Sequence, residues 1–199
     1  MQKGSNNAES SGLKTQTVVG QKEYLKPFVL WFTGLSGAGK STLADLTHQY
    51  LKEKNIKTER LDGDTVRSIF PNTGFTKEER DNHVKRIGFL ASMLERNDVI
   101  VVASFISPYE DSRNFVRGLC KNFIEVYVKA SVAGCECRDV KGLYKKAREG
   151  EIRNFTGISD PYEAPKDPEI VIETDKQSVE ESFSVLRNYI DKHLLEMGS

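Results

Sequence analysis

The chain has 199 residues, and its 29 basic side chains balance its 29 acidic ones, so the formal net charge is zero. This balance gives no general reason to expect binding to nucleic acid or to an anionic membrane, because any positive field must be local. The length is sufficient for one domain with a full hydrophobic core. No stretch reaches the ~18 consecutive apolar residues that a membrane-spanning helix needs.

The N-terminal residues 1–24 are polar and show no hydrophobic periodicity, which is typical of a flexible leader. They also lack the apolar region of a secretory signal. The chain has 3 cysteines; their spacing does not favour a metal site, and reduced thiols are typical of the cytoplasm. We therefore predict a cytoplasmic protein with one folded domain over residues 25–199.

A glycine-rich loop at residues 34–41 follows a predicted strand over residues 28–33 and precedes a predicted helix. It matches the pattern G-x-x-x-x-G-K-[ST] in full. The glycines allow the backbone to come close to an anion, and the amides at the start of the helix bind phosphate oxygens. Lys40 would neutralise the terminal phosphates, and the Ser41 hydroxyl would be a ligand of Mg²⁺. We therefore predict a site for ATP or a similar triphosphate, formed by Gly34, Leu35, Ser36, Gly37, Ala38, Gly39, Lys40, Ser41 and Thr42.

The rest of the chain alternates between strand and helix patterns. Strands are predicted at residues 57–61, 99–104, 123–128 and 169–173, and helices at residues 77–97, 111–120, 131–138 and 178–197. The helix after the glycine-rich loop should bury Leu43, Leu46, Tyr50 and Leu51, and the last helix Val179, Phe183, Leu186, Tyr189, Ile190 and Leu194. This alternation predicts an α/β fold of the P-loop NTPase type, with a parallel sheet covered by helices on both faces. Ligands of such sheets bind at the carboxyl ends of the strands.

Two carboxylates, Asp62 and Asp64, follow the second predicted strand. Next to a phosphate-binding loop, a carboxylate would repel ATP unless it holds Mg²⁺, accepts a proton or binds a sugar hydroxyl. Asp62 comes first after the strand, so we interpret it as the base or as the residue that organises Mg²⁺. Asp64 would either contact a substrate or cap the next helix. The strand at residues 99–104 ends without the acidic residue of a Walker-B motif, which favours Asp62 for the metal.

Basic residues cluster after the glycine-rich loop and indicate a second, anionic substrate: they are Arg67, Arg80, Lys85, Arg86 and Arg113. Arg80 lies near the start of a predicted helix and can reach the strand ends, whereas Arg86 is expected to be solvated. Residues 139–165 are rich in Lys, Arg, Gly and Pro. They predict either a mobile basic lid over the phosphates or a plain exposed loop. Phe75 and Phe155 would either stack on a base or fill a local core.

The chain also contains four specific motifs, which are GLSGAGKST, LDGD-x-x-R, SFISPY and KGLYKKAREGEIRNFTGISDPYEAP. Together they closely resemble the adenylylsulfate kinase family, from about residue 28 to the C-terminus. The resemblance implies transfer of the γ-phosphoryl group of ATP to the 3′-hydroxyl of adenosine 5′-phosphosulfate in sulfate assimilation, with Mg²⁺. It also implies a homodimer, with an ATP sulfurylase of the same pathway as a further candidate partner.

The same resemblance implies roles for individual residues. Lys40, Asp62 and Ser107 would be catalytic, Ser107 matching a serine that is phosphorylated in the family, although direct in-line transfer does not require such an intermediate. Arg138 would bind ATP, and the nucleotide sulfate would contact Asp64, Arg67, Phe75, Arg80, His83, Ile106, Ser107, Lys141, Asn154 and Phe155, with the two phenylalanines on either side of its adenine. The family usually has Asn at position 83. His83 would be either a hydrogen-bond donor whose charge depends on pH near ~6.5 or a solvated histidine.

Overall fold

A computed structural model describes residues 26–70, 74–139 and 141–197 and contains a five-stranded sheet. The strands are β1 (Val29–Thr33), β2 (Thr58–Asp62), β3 (Ile100–Ser104), β4 (Phe123–Lys129) and β5 (Ile170–Glu173). Their order in the sheet is β2-β3-β1-β4-β5, and every neighbouring pair is parallel. The helices are α1 (Lys40–Glu53), α2 (Gly63–Ile69), α3 (Lys77–Glu95), α4 (Glu110–Leu119), α5 (Val132–Arg138), α6 (Leu143–Arg148) and α7 (Val179–Met197).

The central strands β1 and β3 are buried along their whole length. Successive side chains of a strand point to opposite faces, and β1 accordingly supplies both hydrophobic cores. Leu30 and Phe32 pack in the core beneath α1 and α7, whereas Val29 and Trp31 pack in the core beneath α3 and α4. The predicted parallel sheet with helices on both faces is therefore confirmed.

Two residues that were predicted to be buried are exposed. Leu46 is 36% exposed because the buried stripe of α1 runs through Leu43, Thr47 and Leu51. The polar Thr47 can be buried there because its hydroxyl donates a hydrogen bond of 2.8 Å to the carbonyl of Leu43. Val179 is 45% exposed at the first residue of α7, where it lines a cavity.

Residues 139–165 are not a plain exposed loop. They contain α6, and Tyr144 and Phe155 are buried in the hydrophobic core. The Tyr109 hydroxyl donates to Asp160 at 2.6 Å, and the amide of Glu163 donates to the carbonyl of Pro108 at 2.8 Å. The second half of the segment is therefore tied to the loop after β3, and mobility of the basic first half stays a prediction.

The predicted leader, residues 1–24, lies outside the described residues. None of the helices in the described part of the chain combines the length and the apolar composition that crossing a bilayer requires.

Candidate active site

A cavity of about 850 Å³ opens at the carboxyl ends of β1, β2 and β3. This volume lies in the upper part of the range for small-molecule sites. Its wall includes residues 36–41 of the phosphate-binding loop (residues 34–41), the end of β2 with the residues after it, and the loop after β3. The parallel sheet brings these segments together because the carboxyl ends of its strands share one edge.

The phosphate-binding loop needs glycine at two positions for different reasons. A side chain on Gly34 would place its Cβ 2.4 Å from the carbonyl oxygen of Val128, so the loop can pass β4 only with glycine there. Gly39 has a left-handed backbone with φ of 99° and is the N-cap of α1. Since glycine has no capping side chain, the amides at the start of α1 remain available to an anion. The predicted ATP-binding residues from Ser36 to Thr42 line the cavity, whereas Gly34 and Leu35 are not part of its wall.

Lys40 is enclosed at the start of α1, with 9% of its surface exposed. Its Nζ donates to the carbonyl of Leu35 at 2.6 Å. Burial lowers the pKa of Lys40 to about 8, although Cys135, Asp64 and Asp62 oppose the change. The ammonium group therefore remains predominantly charged at pH 7, and a phosphate oxygen can replace the carbonyl as its acceptor.

Asp62 is held on both of its carboxylate oxygens. It is the N-cap of α2, and its Oδ1 accepts from the amides of Asp64 at 3.0 Å and Thr65 at 3.2 Å. Its Oδ2 lies 3.5 Å from both Arg60 and the Ser104 hydroxyl. Burial raises the pKa of this carboxyl, but the hydrogen bonds from Thr65 and Asp64 and the charge of Arg60 outweigh burial, so the net pKa is lowered. Capping, which was an alternative for Asp64, belongs to Asp62.

Asp64 itself is exposed and faces the basic segment. Its carboxylate forms an ion pair with Lys141, and both side chains line the cavity. This pair joins the residue after β2 to the first half of residues 139–165.

Oxygen donors in this cavity fit Mg²⁺. The side chains of Ser41 and Asp62 line the same wall, and Mg²⁺ commonly takes one or two protein oxygens together with waters and substrate phosphates. In the described ranges, no group of three or more His, Cys, Asp or Glu residues could form a complete protein cage. The donor set therefore suits a cation that shares its ligands with a phosphate.

A second group of residues, here called the Arg80 cluster, comprises Phe75, Arg80, His83, Phe105 and Phe155, all of which line the cavity. Arg80 is 8% exposed and donates to the carbonyl of Phe75 at 2.8 Å. Its other nitrogens donate to the hydroxyl of Thr156 and the carbonyl of Asn154. Arg80 therefore connects the start of α3 to residues 154–156, and Asn154 joins the cluster through its backbone.

The two phenylalanines of the Arg80 cluster have different surroundings. Phe75 is 56% exposed, and the guanidinium groups of Arg67 and Arg80 lie 4.7 Å and 5.7 Å from its ring centre. Phe155 is buried, with its ring edge-on to Tyr144 at 4.9 Å. Phe75 thus offers a free aromatic face, whereas Phe155 also fills the core.

His83 is 2% exposed, and neither ring nitrogen has a hydrogen-bond partner among the described residues. Its ring lies edge-on to Phe105 at 6.0 Å. Burial, assisted by the charges of Arg67 and Arg86, lowers the pKa of His83 to about 4. The expected solvated ring is therefore wrong because the side chain is buried, and so is the expected change of charge near pH 6.5. The role of His83 as a hydrogen-bond donor to the substrate stays a prediction, because a neutral imidazole still carries one N–H.

Ser107 is 2% exposed and has a left-handed backbone with φ of 38°. Its hydroxyl accepts from the indole of Trp31 at 3.1 Å and donates to Thr33 at 3.0 Å. Its carbonyl accepts from Arg113 at 2.8 Å. The hydroxyl is therefore engaged by β1, although Ser107 lines the cavity together with the neighbouring Ile106.

Sequence reasoning missed the contacts of Arg138 with the residues after β5. Arg138 donates to the carbonyl of Thr174 at 2.7 Å, and the Thr174 hydroxyl donates to the carbonyl of Ala38 at 2.9 Å. Thr174 and Gln177 line the cavity beside the phosphate-binding loop. The rule that ligands bind after strands could have indicated both residues, since they directly follow β5.

The fold and the site define a protein of the P-loop NTPase type, whose cavity holds the phosphate-binding loop and a second group of basic residues. The model of the family described as Adenylylsulphate kinase matches residues 26–173. The chain therefore belongs to the adenylylsulfate kinase family.

Individual relatives agree with this assignment. The adenylyl-sulfate kinase of Halothermothrix orenii is 53% identical over 168 residues, which cover 84% of this chain and 91% of the relative. A solved structure of the Mycobacterium tuberculosis APS kinase in complex with AMPPNP and APS has a TM-score of 0.79 at 35% identity, covering 83% of this chain and 98% of that one. A hexameric APS kinase from Thiobacillus denitrificans has a TM-score of 0.64 at 32% identity, covering 88% of this chain and 30% of its own.

The chain is accordingly a kinase that uses ATP and Mg²⁺ to phosphorylate adenosine 5′-phosphosulfate at its 3′-hydroxyl. The reaction that the four motifs indicated is confirmed.

Proposed function

We propose that ATP occupies the phosphate-binding loop and the residues around Arg138, and that adenosine 5′-phosphosulfate occupies the Arg80 cluster. The observation that carries this proposal is a single cavity whose wall includes Lys40, Asp62 and Arg80. Asp62 is the last residue of β2, the phosphate-binding loop follows β1, and the Arg80 cluster includes Phe105 after β3. The acceptor hydroxyl would therefore meet the γ-phosphate near Asp62.

Phosphoryl transfer depends mainly on positioning and on neutralising charge. Lys40 and the amides at the start of α1 would hold the β- and γ-phosphates, with Ser41 and Asp62 holding Mg²⁺. Bound Mg²⁺ would neutralise charge on the phosphate oxygens. The O3′ atom of the acceptor attacks the γ-phosphorus, the bond from that phosphorus to the bridging oxygen of ADP breaks, and the hydroxyl proton passes to solvent water as the new bond forms.

Asp62 would orient the acceptor hydroxyl by accepting its hydrogen bond. The lowered pKa of this carboxyl makes it a weak proton acceptor, and a loose transition state places little demand on base strength. Asp64, Arg67 and Lys141 would contact the charged part of the nucleotide sulfate, and Phe75 would stack on its adenine.

We further propose that Ser107 supports the site and is not a phosphorylated intermediate. Its hydroxyl is committed to Trp31 and Thr33 and is nearly inaccessible. Direct in-line transfer needs no such intermediate.

The working form that we propose is a cytoplasmic homodimer that acts in the same pathway as an ATP sulfurylase. Self-association is supported by the solved hexameric relative. Exposed apolar side chains on neighbouring helices α3 and α4 would suit contact with a second copy; they are Phe89, Met93 and Phe115.

Asp62→Asn tests the proposed site directly. The change keeps the size of the side chain and removes its charge, so kcat should fall at least about tenfold while KM for the nucleotide sulfate changes less than about threefold. Steady-state ADP release with adenosine 5′-phosphosulfate, and with adenosine monophosphate as the acceptor without sulfate, measures both constants. Asp45→Asn on the exposed side of α1 is the control. An effect confined to KM would reassign Asp62 to binding.

A further inference from the structure

Arg60 lies on β2, two residues before Asp62, so both side chains lie on the same face of the strand. β2 is an edge strand of the sheet, where an arginine would ordinarily extend into solvent. The Arg60 side chain is nevertheless only 11% exposed. Its low exposure at the edge of the sheet indicates that specific contacts hold it.

The guanidinium group of Arg60 donates to partners on three elements. Its Nε donates to Asp45 of α1 at 2.9 Å, and one terminal nitrogen donates to the carbonyls of Leu61 at 2.9 Å and Val102 at 3.3 Å. The other terminal nitrogen donates to the Ser104 hydroxyl at 2.8 Å and lies 3.5 Å from Oδ2 of Asp62. The planar group of five N–H donors is thus fixed in one orientation.

These contacts complete a clamp on Asp62. The amides at the start of α2 hold Oδ1, while Arg60 and Ser104 face Oδ2. A carboxylate that is held on both oxygens cannot rotate freely, and its orientation is set before the substrate binds. Preorganisation of this kind is a large source of catalysis where geometry and charge dominate the reaction.

We propose that Arg60 is a positioning residue that fixes the Asp62 carboxylate for phosphoryl transfer. The inference rests on the role proposed above for Asp62. The competing explanation is a purely structural cross-link between α1 and the sheet edge, through the ion pair with Asp45. That pair contributes little to stability by itself, because the Asp45 side chain is 68% exposed.

Arg60→Met, Asp62→Asn and the double variant separate these explanations. Arg60→Met should lower kcat about tenfold or more, as loss of a supporting contact to a catalytic or metal-binding carboxylate commonly does, with both KM values within about twofold. In the Asp62→Asn background the same change should lower kcat less than about twofold, because there is no carboxylate left to position. Arg60→Lys, which keeps a cation near Oδ2, should lose less activity than Arg60→Met.

One further variant, a crystal structure and thermal unfolding complete the test. A crystal structure of Arg60→Met should show the Asp62 carboxylate in more than one orientation. Asp45→Asn removes the partner on α1 but leaves the contacts to Asp62 and Ser104, so kcat should stay within about twofold of the original. Thermal unfolding of each variant checks that the folded fraction is unchanged, and Arg60→Lys provides the comparison if Arg60→Met does not fold.

The outcomes distinguish the two proposals. If Asp62→Asn leaves kcat unchanged, the role of Asp62 fails and the inference fails with it. If Asp62→Asn lowers kcat but Arg60→Met does not, the inference alone is overturned. An equal loss from Arg60→Met in both backgrounds also overturns it, because Arg60 would then act independently of Asp62.

Discussion

Burial sets the charge of the individual polar residues around the cavity. Lys40 and His83 are both almost enclosed, and desolvation is the main cause that lowers the pKa of each, to about 8 and about 4 respectively. One value lies above neutral pH and the other below it, so Lys40 remains predominantly charged and His83 is neutral. Positive charge in the cavity outside the phosphate-binding loop therefore comes from side chains such as Arg67, Arg80 and Lys141. His83 offers a neutral ring whose two nitrogens have no hydrogen-bond partner among the described residues.

The neutral state of His83 predicts a pH dependence of stability. Its pKa is about 4 in the folded chain and 6.5 as a free side chain, so the unfolded chain binds more protons between these values. Stability contributed by the neutral ring is therefore present above pH 6.5 and is lost as the pH falls towards 4. Between pH 7 and 5 the loss from this one residue is about 2 kcal/mol.

Urea unfolding of the original chain and of His83→Gln at both pH values measures this effect. The variant should lose about 2 kcal/mol less free energy of unfolding than the original on going from pH 7 to 5. His48→Gln, on α1, is the control for the loss of a histidine outside the cavity. Parallel behaviour of His83→Gln and the original would show that His83 takes up a proton in the folded state.

At the level of elements, the spacing of apolar residues was sufficient to predict the strands and helices that are buried along their length. The strands β1 and β3 are apolar along their length because both faces are covered, and the 19-residue helix α3 repeats its apolar residues at helical spacing. No bounds were predicted for the short helices α2 and α6, with 7 and 6 residues, although a helix after Asp64 was expected. A helix of two turns buries too few side chains to show a period, so its presence depends on tertiary contacts.

The candidate site was likewise predictable only in part. The phosphate-binding loop could be predicted because the loop pattern itself specifies the chemistry. The clamp on Asp62 could not, because Arg60 and Ser104 are 44 residues apart in the chain and only the register between β2 and β3 brings them together. The burial of His83 was missed for a similar reason, since it depends on packing against Phe105.

Two helical glycines provide a matched test of how α3 and α4 pack. A Cβ on Gly88 of α3 would lie 2.4 Å and 2.9 Å from the two Cγ atoms of Val116 on α4, whereas a Cβ on Gly118 of α4 has no neighbour within 4 Å. Gly88→Ala should therefore destabilise the chain by about 1–3 kcal/mol through overpacking. Gly118→Ala should stabilise it by up to about 1 kcal/mol through helix propensity. Chemical unfolding of both variants compares them, and a neutral Gly88→Ala would mean that the two helices lie further apart.

In the whole molecule, the acceptor side of the cavity is held by long-range contacts. Arg113 is buried, forms an ion pair of 2.8 Å with Glu125 on β4, and donates to the carbonyls of Ser107 and Glu163 at 2.8 Å each. Arg80 similarly joins α3 to residues 154–156. The phosphate-binding loop is held by Arg138 and Thr174. Tyr144 connects the two halves of the cavity, because it donates to the carbonyl of Ser36 at 2.9 Å and packs edge-on against Phe155.

Arg80→Ala tests whether the proposed acceptor site can be weakened without affecting the ATP site. Removing the guanidinium group deletes a positive charge from the acceptor pocket and the contact over Phe75, so KM for the nucleotide sulfate should rise about tenfold or more. KM for ATP should stay within about twofold, because the phosphate-binding loop does not use Arg80. Steady-state kinetics with each substrate varied in turn measures both values, and Arg86→Ala, an exposed arginine on the same helix, is the control. Since Arg80 also supports residues 154–156, thermal unfolding must accompany the kinetics. An equal rise in both KM values would mean that Arg80 acts through the frame of the cavity, and that the two nucleotide sites are not independent.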